Sequence, residues 1–76
     1  MSIDIISILC EVEAEFGRAT KLHGPIVTPH EAYGIILEEL DEFWDEVKKK
    51  KHDLRELRKE LVQVAAMAIR AIHDIA

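Results

Sequence analysis

Apolar residues recur at spacings of three and four along almost the whole of this chain, and only two short breaks interrupt them. Ile5, Leu9, Val12, Phe16 and Ala19 form one run, and Ile36, Leu40, Phe43 and Val47 a second. The third passes through Leu54, Leu57, Leu61, Val64, Ala68, Ile72 and Ile75. A side chain returns to the same face of an α-helix about every 3.6 residues, so these spacings specify amphipathic helices. Strands, which alternate with a period of two, are not expected. The chain reads as all-α.

The ends of the three helices are written locally. Ser2 is a candidate N-cap for the first, and Gly24-Pro25 stops it. Gly17 lies inside this helix at some cost, which suggests a close approach by another helix. Thr28-Pro29-His30-Glu31 sets a capping threonine before a proline at the first helical position, with Glu31 completing a capping box. That second helix is predicted to run to about Lys50, where Lys48 to Lys51 complement the negative end of its dipole. Asp53 can cap the third helix, with Glu56 at the box position. The predicted helices therefore lie near residues 2–22, 29–50 and 53–75 of one domain, 1–76. So short a link between the last two forces an antiparallel hairpin. Ala65, Ala66 and Ala68 leave room for a neighbouring backbone.

Nearly half of the 76 residues are hydrophobic, more than three helices easily cover. A domain this short buries only roughly 60% of its unfolded surface. Self-association into a four-helix-type bundle, as a homodimer or homotetramer, is the expected remedy. A formal net charge of −5 argues against a general nucleic-acid or anionic-membrane binder, since both want a basic surface. No apolar run approaches the ~20 residues that span a bilayer. Cys10 is the single cysteine, and with Ile8, Leu9 and Val12 around it a buried thiol is expected. An internal disulfide is impossible. Asp4 and the lack of a basic leader argue against a signal peptide, and a cytoplasmic location is expected.

Two acidic stretches carry the functional signal. At about 100° per residue, Glu39 lies roughly 60° from the second helix's apolar seam and Glu42 roughly 120°, on the same side. Glu60 and Gln63 fall at the same two offsets from the seam of the third helix. Antiparallel packing, seam to seam, brings all four to one flank, with Glu39 level with Val64 and Glu42 level with Leu61. Three carboxylates so placed repel unless a cation holds them, and oxygen donors of this kind, the amide included, suit Mg²⁺, with Mn²⁺ the alternative. Histidine is absent from the flank, which disfavours zinc or a di-iron centre. Mg²⁺ has a natural substrate class in polyphosphates.

Glu38-Glu39-Leu40-Asp41-Glu42, followed after a turn by Glu60-Leu61-Val62-Gln63, resembles the EExxE…ExxD signature of MazG-like nucleotide pyrophosphohydrolases. The likeness extends from about His23 to Ile75 and takes in His30-Glu31-Ala32-Tyr33-Gly34 and the alanine-rich last helix. It implies an all-α enzyme that hydrolyses a nucleoside triphosphate to monophosphate and pyrophosphate with Mg²⁺. By the same resemblance Glu39, Glu42 and Glu60 map onto metal ligands, and Glu38 onto their acidic neighbour, a candidate base for the attacking water. Gln63 stands where the family pattern has aspartate. Its carbonyl can ligate a hard cation but brings no charge, so weaker metal binding follows.

Lys49 and Arg70 each fall seven residues after a member of the flank, Glu42 and Gln63, and are candidates to meet a phosphate. Trp44 sits at the far edge of the seam, as core or oligomer contact. His23, His30, His52 and His73 lack partner spacing and read as structural or exposed. Two alternatives to the enzyme stand: a non-catalytic helical oligomerisation module, and a nucleotide-binding regulator on the same scaffold.

Overall fold

The computed structural model describes residues 4–76, and among them the chain is all-helical. Helix α1 spans Ile5–His23, α2 Pro29–Val47 and α3 Leu54–Ile75. Ser2 lies outside the described residues. Asp4 takes the N-cap position of α1, its carboxylate accepting from the Ile6 N–H at 3.1 Å. Gly24 closes the helix with φ of +72°, a conformation that only glycine adopts without a Cβ clash. Its N–H still bonds to the Thr20 carbonyl at 2.9 Å.

Helix α2 starts at the predicted threonine. Thr28 Oγ1 accepts from the Glu31 N–H at 3.1 Å, while the Glu31 carboxylate reaches past the cap to the Val27 N–H at 2.7 Å. The helix ends earlier than predicted, at Val47 rather than near Lys50. Glu46 explains the difference. Its buried carboxylate accepts from Lys49 Nζ at 2.7 Å and from the Asp53 N–H at 3.2 Å. Drawing both groups back to one carboxylate curls the chain out of the helix. The Asp53 N–H is therefore Glu46's partner and not Glu56's, and Asp53 itself caps the Arg55 N–H at 2.9 Å.

Contacts at three levels show α2 and α3 to be antiparallel. Glu46 meets Asp53 at the hairpin, Glu39 meets Gln63 midway, and Ile26 meets Asp74 at the open end. On its other side α3 carries α1, which runs in the same sense. The Glu11–Arg58 ion pair and the edge-to-face contact of Phe16 with His73, centroids 5.4 Å apart, mark that seam. Helices α1 and α2 both pack on α3 and not on each other. The core is small: Val12, Ala19, Ala66 and Met67 are buried, with Ile8, Phe16, Ile35, Ile36, Val62 and Ala65 packed around them. Ala66 is fully buried.

Three expectations need correction. The predicted seams are rotated, because Leu40 and Leu61 are 48% and 50% exposed while Glu39, Gln63 and Arg70 turn inward. Cys10 is exposed, since α1 presents Val12 and Ala19 to α3 and leaves the Cys10 side outward. Gly17 marks no close approach, as a Cβ there would meet nothing within 4 Å.

Candidate metal and phosphate site

The acidic flank forms where α2 lies against the middle of α3. Glu38, Glu39 and Glu42 occupy one side of α2, since residues three and four apart are neighbours on a helix. One carboxylate oxygen of each lies within 4.8 Å of the others. Glu38 and Glu42 are exposed and Glu39 is half-buried against α3. Glu60, expected among the ligands, stands across the helix–helix seam and is not part of that group of three. Gln63 lies between: with its nitrogen turned to the acids, the amide donates to Glu39 Oε2 at 3.0 Å and Glu60 Oε2 at 3.2 Å. One amide thus ties a carboxylate of α2 to one of α3.

The electrostatics follow from this crowding. Burial, then the charges of Glu42, Glu60, Glu38 and Glu15, push the Glu39 carboxyl up to about 7. Burial and the Glu42 charge also raise Glu60, against the opposing pull of Lys59. Like charges near a partly buried acid favour its protonated form, and a bound cation removes that penalty. Three carboxylates that converge so closely are a donor set suited to a hard, octahedral cation, with water completing the shell. Mg²⁺ fits them by charge and by ligand type.

The two basic candidates have separate fates. Lys49 is held by Glu46 at the hairpin, at 2.7 Å, and faces that carboxylate. Arg70 is buried at 2% exposure, and its Nη2 donates to the Gly24 carbonyl at 2.6 Å. A cavity of about 360 Å³ has Arg70 in its wall together with Glu38 and Glu39. His52 and His73 serve structure, near the Glu46 carbonyl and Asp74. Trp44 is exposed.

Sequence reasoning passed over α1. Glu15 contributes to the Glu39 shift, and with Arg18 it lines a groove of about 600 Å³ that reaches Gln63. The signal was present in Glu11, Glu15 and Arg18, which recur at helical spacing on one polar side. It gained meaning only once α1 was placed beside α3. Comparisons with protein-family models, with curated proteins and with solved structures find no match to this chain.

Proposed function

We propose that this chain is a Mg²⁺-dependent nucleoside triphosphate pyrophosphohydrolase of the MazG-like type, releasing monophosphate and pyrophosphate. The observation that carries the reading is the convergence of Glu38, Glu39 and Glu42 within 4.8 Å, joined through Gln63 to Glu60 on the facing helix. Glu39 and Glu42 would hold the ion from α2 and Glu60 would reach it from α3, from outside the group that converges within 4.8 Å, with Gln63 as a weak ligand or orienting amide. When bound there, Mg²⁺ supplies charge neutralisation for the polyphosphate and acidity for water. Glu38, exposed at the edge of the cluster, accepts a proton from the water that attacks the α-phosphorus. The bond from that phosphorus to the bridging oxygen breaks, and pyrophosphate leaves.

A homodimer or larger assembly belongs to the same reading. Ile5, Leu9, Leu54, Leu61 and Ile72 are each more than 48% exposed, and a second copy that covers them completes a bundle of at least four helices. No helix among the described residues is long and apolar enough to cross a membrane.

One observation favours a second reading, a nucleotide-binding regulator or non-catalytic helical module. Gln63 satisfies Glu39 and Glu60 with an amide and so lessens the demand for a cation. Incubation with a nucleoside triphosphate panel and Mg²⁺ or Mn²⁺, read as pyrophosphate release, separates the two. Release that vanishes in Glu39→Gln supports the enzyme. Metal binding with no release from any nucleotide supports the regulator.

A further inference from the structure

The acidic balance of this chain is not spread evenly. Residues 48–59, which close the α2–α3 hairpin and open α3, hold seven of the ten basic side chains and two acids, Asp53 and Glu56. That segment carries a formal charge of +5 in a chain whose total is −5. The negative end of the α2 dipole offsets only about half a charge. Three of the cations have carboxylate partners: Lys48 has Asp45 at 3.2 Å, Lys49 has Glu46 at 2.7 Å, and Arg58 has Glu11. Lys59 lies in the field of Glu15 and Glu60. Lys50, Lys51 and Arg55 remain exposed, and among the described residues none of them forms an ion pair. Asp53 stands between them in sequence and caps the Arg55 N–H at 2.9 Å, so one negative charge is set against three positive ones.

Lys51, His52, Asp53, Leu54 and Arg55 line an open depression of about 500 Å³. Leu54 is 78% exposed there, so an apolar side chain and two unpaired cations share one surface. We infer that this hairpin end is a docking surface for a short acidic segment of another protein. One apolar side chain of the segment rests on Leu54, and carboxylates on either side of it meet Lys50, Lys51 and Arg55. An extended polyanion fits the surface less well. Asp41, Glu42 and Asp45 of α2 are exposed and lie within roughly 10 Å of Lys48 along the helix axis, about one Debye length. They repel a long strand or an anionic bilayer laid across the tip, and spare a segment of a few residues. Single strands are held by stacking on aromatic rings, and no Phe, Tyr or Trp lines this depression. Leu54 gains nothing from a phosphodiester backbone. The surface lies at the hairpin, away from the level where Glu39 meets Gln63, and owes nothing to the metal reading.

The test is a titration of the isotope-labelled protein, followed by its backbone amide resonances. The probes are a capped peptide of two glutamates, a leucine and two glutamates, its counterpart with glycine for the leucine, and a short oligothymidylate. The leucine peptide should shift the amides of residues 50–57 saturably, and the glycine peptide should bind roughly fivefold or more weakly. The variant Lys50→Gln/Lys51→Gln/Arg55→Gln should bind the leucine peptide roughly tenfold or more weakly than the wild type. Its three side chains are exposed and outside the core, so its melting temperature should stay with that of the wild type. Four results each overturn the inference: no shift at millimolar peptide, affinities for the two peptides within about twofold, an affinity unchanged in the triple variant, or tighter binding of the oligothymidylate than of the leucine peptide. The last of these assigns the hairpin end to nucleic acid instead.

Discussion

Replacing Glu39 with glutamine removes one ionisable group from the acidic flank and keeps a carbonyl oxygen toward the Gln63 amide. The folded chain holds the Glu39 proton up to about pH 7, against 4.5 for the ordinary carboxyl. Below the lower value the group is protonated whether folded or unfolded, and its contribution to stability is complete. That contribution is lost as pH rises through the folded value, because the unfolded chain ionises first and without penalty. A difference of this size corresponds to at most roughly 3.5 kcal/mol. Solvent reaches the half-buried Glu39, so screening reduces the figure to about 1–2 kcal/mol. The metal-free wild type should therefore lose that much stability relative to Glu39→Gln between about pH 5 and about pH 8. In a domain this size each kcal/mol moves the melting temperature by about 4–8 °C, well within reach of thermal denaturation in chelator. Saturating Mg²⁺ should return the lost stability to the wild type alone. Stability curves that stay parallel across that pH range would show that the carboxylates do not confront one another as their geometry requires.

The other expectations concern single contacts. Gln63→Asp replaces an amide that donates to Glu39 and Glu60 with a further negative charge; it should destabilise the metal-free protein by about 1–3 kcal/mol and tighten Mg²⁺ binding in calorimetry. Unchanged stability together with unchanged affinity would sink the reading of the flank. Gly24→Ala forces a Cβ into a φ of +72° and should cost about 1 kcal/mol or more in urea denaturation, whereas Gly17→Ala, with open space around it, should be neutral or stabilising. Leu61→Glu places a charge on the exposed apolar face of α3; light scattering should report smaller particles than the wild type, and a wild type that is already monomeric at micromolar concentration refutes the assembly.

Local chemistry made much of this fold legible in the sequence. Thr28, Asp53, Gly24 and Pro29 act through bonds and dihedral angles spanning a few residues, so they mark helix ends wherever the helices later pack. That Glu39 and Glu42 share one side of α2 was legible for the same reason, because it needs only the pitch of one helix. The group that converges differs: it takes in Glu38, read from the sequence as a neighbouring base, and leaves out Glu60. The link from Glu39 to Gln63 also followed from sequence, since a short hairpin leaves little choice of register. The rotation of each helix about its own axis did not follow. Apolar residues surround α2 and α3 on more than one side, so Leu40 and Leu61 are as hydrophobic as the residues that in fact face inward. Packing chose between these faces through groups distant in sequence: Glu46 drawing back Asp53, Asp74 holding the Ile26 N–H, and Arg70 holding the Gly24 carbonyl. Those contacts turn Glu39 toward α3, which half-buries it and raises its proton affinity. They also bury Arg70 in the wall of a cavity it shares with Glu31, Glu38 and Glu39. Burial and electrostatic field are properties of all three helices at once, and only the tertiary structure decides them.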